Sequence, residues 1–229
     1  MNTFPGRWVG GTALVLGPVL LLLGTLLRSP FHFFFPDQLR AMAEHPGLMT
    51  AAYTAFAAGN VVLGFAVVTL AQRIARPLGV WAGVFVLVGL FERTFHAGVD
   101  QAAQGLVRRH GPQFATELVA ASYGDLHLFS YLSFTIMFGW YVLAFAAYRS
   151  GVLGVARSLC LASAGLLPLG VLKGTELLSI VGTVGLCAAL VPLGVRVLLD
   201  GPRPSRRAVL LAVGAVPLVG ALALVSTAG

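Results

Sequence analysis

Trp8 to Leu27 reads WVGGTALVLGPVLLLLGTLL, twenty residues without a charge. At 1.5 Å per residue such a helix spans about 30 Å, the thickness of a bilayer's hydrocarbon core. Arg7 precedes the stretch, and Arg28, Ser29 and Pro30 follow it. A secretory signal has a shorter apolar region and ends at a small-x-small cleavage site, so the stretch reads as a retained first transmembrane helix. The rest of the chain repeats the pattern. Of 229 residues, 58% are hydrophobic and 10% charged, with a mean hydropathy of +0.89. Soluble domains carry about 25% charged residues, so this chain lacks the polar surface a soluble domain needs. Disorder requires the opposite composition.

Seven apolar spans can be drawn, over about 8–27, 48–71, 78–98, 126–148, 153–172, 177–198 and 208–226. Strand-period alternation is absent, and helices satisfy their own backbone groups in lipid. The expectation is all-α: a polytopic integral membrane protein, residues 1–229 forming one bundle of about seven transmembrane helices. Gly59, Gly64, Gly79, Gly83, Gly182 and Gly185 read as close-packing positions. Pro18, Pro168, Pro192 and Pro217 are expected to kink or end local helical bonding.

Net charge is +7, from 14 arginines and the single Lys173 set against eight acids. These cations sit at segment ends and form no run that could track a phosphate backbone, so a nucleic-acid partner is excluded. They read as an orientation signal. The N-terminus and the second, fourth and sixth loops hold nine; the other flanks hold six. The positive-inside rule then places the N-terminus in the cytoplasm. Seven acids and all five histidines fall toward the opposite end. Two long connections lie there too, about 28–47 with Phe31, Phe33, Phe34 and Phe35, and about 99–125 with a break at Gly111-Pro112. Each reads either as a partial interfacial lid or as surface loop. Cys160 and Cys187 lie inside apolar stretches and make neither a disulfide framework nor a CxxC pair.

The third span carries most of the chemistry. Glu92, His96 and Asp100 recur at four-residue steps on one helical side, continued by Trp81 and Phe85, with Phe95 beside them. Glu92 lies about 21 Å along the helix from Leu78, inside the hydrocarbon. Ionisable groups at that depth face a cavity or a partner; the plain alternative is a structural pair of Glu92 with Arg93 or another arginine. The fourth span opens with Asp125 and His127, and Tyr131, Phe134, Phe138 and Tyr141 follow at helical spacing. The second adds Tyr53, Phe56 and Asn60, and the turn before the sixth adds Lys173, Thr175 and Glu176. Together they suggest a cavity with carboxyls at its mouth and aromatic walls.

Such a site suits proton-initiated chemistry. A carboxylic acid in apolar surroundings stays protonated near neutral pH and can protonate an olefin or epoxide. Aromatic faces stabilise the resulting cation, and a carboxylate or imidazole removes the last proton. Glu92 is the preferred acid, with Asp100, Asp125 or Glu176 as alternative acid or terminating base. No metal or other cofactor is required by this scheme.

The architecture, with Phe91-Glu92-Arg93-Thr94-Phe95-His96 and Gly124-Asp125-Leu126-His127 as its polar centres, resembles the small integral-membrane terpene cyclases. These include the bacterial drimentine-type enzymes and the fungal meroterpenoid cyclases. The resemblance covers the whole chain as architecture and rests on no diagnostic motif. It implies cyclisation of a prenylated, farnesyl-type lipophilic substrate such as an indole diketopiperazine, without diphosphate ionisation. The aspartate-rich motifs of soluble terpene synthases are absent, and the last span lacks an acid. The arginine and alanine bias fits a GC-rich bacterial genome and hence a bacterial cell membrane. Two other classes compete. A small transporter or accessory membrane protein would use Glu92 and Asn60 along a path. A metal-dependent intramembrane hydrolase would use Glu92, His96, Asp100 and His127 as ligands, although HExxH is missing.

Overall fold

The computed structural model describes residues 4–74, 77–122, 125, 128–201 and 206–227. Every regular element among the described residues is helical: α1 (Arg7–Arg28), α2 (Phe35–Glu44), α3 (Pro46–Ile74), α4 (Pro77–Ser122), α5 (Leu128–Leu132), α6 (Phe134–Arg149), α7 (Val155–Ala162), a 3-10 turn (Ser163–Leu166), α8 (Leu177–Leu199) and α9 (Arg206–Thr227). Five helical segments are long and apolar enough to cross a membrane: Arg7–Arg28, Pro46–Ile74, Pro77–Ala121, Ser130–Arg149 and Leu177–Leu199. The chain divides into two compact units, Met1–Leu198 and Leu199–Gly229. In the second, the described residues form α9, an apolar helix with Pro217 inside it.

In the first unit α1 and α3 run antiparallel, and glycine permits their approach. A Cβ added at Gly24 would lie 2.6 Å from the carbonyl oxygen of Ala52, and one at Gly59 would lie 2.7 Å from the amide of Leu21. Backbones this close gain dispersion contacts that lipid tails cannot supply. A second seam joins α4 to α6, where Gly89 meets the backbone of Thr135 and Ile136, and Gly139 that of Phe85 and Val86. Val86, Leu90 and Trp140 fill the adjacent core. Of the expected packing positions, Gly59, Gly79, Gly83, Gly182 and Gly185 are tight contacts, whereas a Cβ added at Gly64 would lie 3.7 Å from Leu87.

The third span is longer than the sequence suggests. α4 runs on past residue 98 through Asp100 to the neighbourhood of Gly111. There the backbone takes φ 85, ψ 167, a conformation that glycine adopts without steric cost, and helix resumes with Pro112. Both long connections therefore carry helix, the first in α2 and the second in the continuation of α4. α2 starts from an extended Phe34 with proline in its first turn and Asp37 beside it, favourable choices at a helix N-terminus. Its apolar face, Phe35, Leu39 and Met42, packs with Met49, Ala103, Val107, Ala115, Val119 and Leu172 in a core separate from that of the bundle.

The fifth span departs most from expectation. Residues 153–172 were expected to cross as one helix, but regular structure stops at Leu166. Eight α-helical and four 3-10 residues rise only about 20 Å. Pro168 supplies no backbone N–H and biases Leu167 toward extended backbone, observed at φ −64, ψ 132. Gly170 follows at φ 102 and Leu172 at φ 53. The chain then stays irregular up to Glu176. Non-helical backbone persists where protein surrounds it or a cavity adjoins it, and both conditions hold here.

Candidate functional site

The unwound segment 167–176 is held by side chains from α1 and α4. Arg93 donates from Nη1 to the carbonyl of Pro168 at 3.1 Å and from Nη2 to that of Leu167 at 3.2 Å. The Leu172 amide donates to Asp100 Oδ1 at 2.6 Å. A left-handed non-glycine residue such as Leu172 costs on the order of 1 kcal/mol or more and persists when its surroundings over-determine it. Here the Asp100 carboxylate fixes the amide while the fully buried Leu172 side chain sits in the second core. Arg28 donates from Nη1 to the Lys173 carbonyl at 2.8 Å and from Nε to Gly24 at 3.2 Å. Its guanidinium stacks over Tyr53 and Phe56, 4.7 and 4.6 Å from the ring centres. Segment and bundle are thus joined by charge-assisted hydrogen bonds, which are stronger than neutral ones.

Two cavities meet at Asp100. A narrow cleft of about 40 Å³ is lined by Arg28, Arg93, His96, Asp100 and the unwound backbone. A wider cavity of about 350 Å³ lies between α3 and α4, lined by Tyr53, Phe56, Asp100, Gln101, Gln104 and Arg108. Phe56, Ala97 and Asp100 border both. The wider space falls within the range of small-molecule sites. Its walls are held in place: Tyr53 Oη donates to Gln38 Oε1 at 3.0 Å, and Gln104 Nε2 donates to Thr50 Oγ1. The Asp100 carboxyl and the Tyr53 and Phe56 rings adjoin this space, while the His96 imidazole lines the cleft on the other side of Asp100.

Glu92 is placed differently. It is fully buried at the α4–α6 seam, where Ser133 Oγ donates to Oε1 at 2.8 Å. Its sequence neighbour Arg93 turns instead toward the unwound segment. Asn60, also buried, donates from Nδ2 to the Leu90 carbonyl and to Thr94 Oγ1, both at 2.9 Å, and so ties α3 to α4. His96 lines the cleft, and its ring lies 5.9 Å from that of Phe95.

The aromatic wall expected from α4 and α6 lies elsewhere. Trp81 is 65% exposed and Phe138 57%; Phe85, Phe134 and Tyr131 are exposed as well. Close approach through Gly89 and Gly139 leaves Phe85 and Phe134 along the outside of the seam, edge to face at 6.4 Å, while Trp140 takes the buried position beside it. The aromatic lining comes from α3, through Tyr53 and Phe56. Glu176 is exposed at the start of α8, where its carbonyl accepts from Ser179 and Ile180 and its amide donates to Ser179 Oγ. That position caps a helix. Asp125 is exposed, and His127 lies outside the described residues. Among the described residues no three His, Cys, Asp or Glu side chains come together as a metal site would require. Cys160 and Cys187 are both free thiols.

Sequence reasoning passed over Arg28 and residues 167–172 as site elements and weighed Arg93 only as an ion-pair partner of Glu92. Arg28 resembles an ordinary positive flank at the end of a span, and its partner at Lys173 is 145 residues away. The available signal was Pro168 with Gly170 inside an otherwise apolar run. The chain matches no known protein family, no curated protein and no solved structure.

Proposed function

We propose that this chain is a membrane-bound cyclase that starts its reaction by protonating a prenylated, lipophilic substrate in the cavity between α3 and α4, with Asp100 as the acid. The observation that carries the reading is the position of Asp100, a carboxyl shared by a narrow cleft and a cavity of small-molecule size with Tyr53 and Phe56 on its wall. An acid needs an apolar partner within reach and an aromatic surface for the cation it creates. His96, which lines the cleft beside Asp100, is placed to take the final proton. Glu92, hydrogen-bonded at a helix seam, is assigned to holding α4 against α6. In the cell the chain would be a seven-span protein of a bacterial inner membrane with its N-terminus in the cytoplasm. The short helix α7 with its unwound continuation and α9 would then be its fifth and seventh passes.

The test is incubation of detergent-purified protein with a farnesylated indole diketopiperazine and a set of prenylated phenols and prenylated aromatic acids. Cyclisation leaves the mass unchanged and shifts the retention time. Product formed by the wild type and by Glu92→Gln, and lost in folded Asp100→Asn, supports the reading. Product lost only in Glu92→Gln returns the acid to the seam.

The unwound segment also favours a second reading, a small transporter. Broken helices whose irregular backbone lines a binding site are the usual construction of secondary transporters. That function requires sealed vesicles, whereas cyclisation proceeds in detergent.

A further inference from the structure

The cleft beside the unwound segment has a charge imbalance that the chemistry above does not use. Arg28 and Arg93 contribute two positive charges to its lining, and Asp100 contributes at most one negative charge. Arg28 is buried. The hydrogen bonds of both guanidinium groups run to neutral backbone carbonyls. Among the described residues neither guanidinium has a carboxylate within 4.0 Å. Cations enclosed at membrane depth are costly unless an opposite charge approaches them.

Thr25 is an independent sign. Thr69, Thr94, Thr116 and Thr183 each donate their hydroxyl to the carbonyl four residues earlier, the usual resource of a helical threonine. Thr25, on α1 and lining the same cleft, does not. Its side chain is 1% exposed, and its hydroxyl has no hydrogen-bond partner, although its carbonyl accepts from Thr175 at 2.7 Å. A buried hydroxyl without a partner costs on the order of 1–3 kcal/mol, so its presence beside the buried Arg28 and the half-buried Arg93 points to a ligand that uses it.

We propose that the cleft binds an oxyanion, the carboxylate or phosphate headgroup of an amphiphile whose apolar body occupies the adjoining cavity between α3 and α4. Arg28 and Arg93 supply charge and fixed donors suited to such a group, and Thr25 donates one further hydrogen bond. A space of about 40 Å³ has room for one small polar group; water needs 10–15 Å³ on a comparable scale. The shared border at Phe56, Ala97 and Asp100 carries the rest of the molecule into the wider space. The proposal holds whichever reaction Asp100 performs. Within the cyclase reading it selects prenylated acids over neutral substrates.

Binding to purified protein in non-ionic detergent tests it without turnover. The probes are dodecyl phosphate, dodecanoate, dodecanol and inorganic phosphate, followed by thermal unfolding and calorimetric titration. The expected result is saturable stabilisation by dodecyl phosphate or dodecanoate and little by dodecanol. Thr25→Val should unfold at the wild-type temperature or slightly above it, because it removes an unpaired hydroxyl, and should bind about tenfold more weakly. Arg93→Lys, which keeps the charge and loses the fork, should weaken binding further; Thr25→Val serves as the test if Arg93→Lys does not fold. Equal saturation by inorganic phosphate would support the oxyanion site and identify a free anion as its occupant. Equal stabilisation by dodecanol, unaltered binding in Thr25→Val, or no stabilisation by any probe would overturn the proposal.

Discussion

Glu92 and Asp100 stand two turns apart on one helix and live in different worlds. Glu92 is enclosed at a seam where α4 and α6 meet through glycine, with Ser133 on its carboxylate. Asp100 faces irregular backbone and borders two cavities. Four-residue spacing suggests a single polar face, but each residue advances about 100°, so eight residues rotate the side chain by about 80°. That rotation separates the neighbour α6 from the neighbours α3 and 167–176. A buried carboxyl at a tight seam reads as structure, and one beside open volume reads as chemistry.

The sharpest break in the comparison is the pair of neutral isosteres. Asp100→Asn should lower turnover by a factor of about 10²–10⁴ with the fold retained. Glu92→Gln should cost less than about tenfold. Product analysis and circular dichroism on the same preparations check both. If the seam is structural, forcing it apart must cost stability. Gly89→Leu would drive a side chain into the Ile136 backbone, which a Cβ alone would approach to 2.8 Å. Overpacking of this kind costs about 1–3 kcal/mol, measurable as a lowered unfolding midpoint. Ser133→Ala removes the donor to the Glu92 carboxylate and should destabilise by about 2 kcal/mol, while product formation per folded molecule stays unchanged. The smallest effect is expected outside the seam. Trp81→Ala and Phe138→Ala should leave turnover within about twofold and stability within about 1 kcal/mol, because these exposed rings bury little against the protein. A large loss of turnover in either would restore the outer aromatic stripe to the site.

The cleft and the seam also differ in how visible they are in the sequence. Glu92, His96 and Asp100 can be picked out at once, since any ionisable residue inside an apolar stretch stands out against its background. Tyr53 and Phe56 are visible as a helical pair. Thr25 is not, because an isolated threonine in a transmembrane stretch is ordinary until its hydroxyl is found without its i−4 bond. Arg28 is hidden for the opposite reason: arginines end most spans, and only the packing of residue 173 against it makes this one a wall.

Composition and hydropathy alone determined that the chain is an apolar, all-helical protein with helices of membrane-crossing length, because twenty uncharged residues in a row have few stable alternatives to a helix in lipid. Spacing along α4 also set which acids could matter. Tertiary structure decided the rest: that 167–176 unwinds, that Trp81, Phe85, Phe134 and Phe138 face outward, and that Asp100 rather than Glu92 adjoins the cavity between α3 and α4. Each of these depends on contacts between residues far apart in the chain. Pro168 permits the unwinding, but the hydrogen bonds from Arg93 and to Asp100, more than seventy residues earlier in sequence, hold that backbone in place.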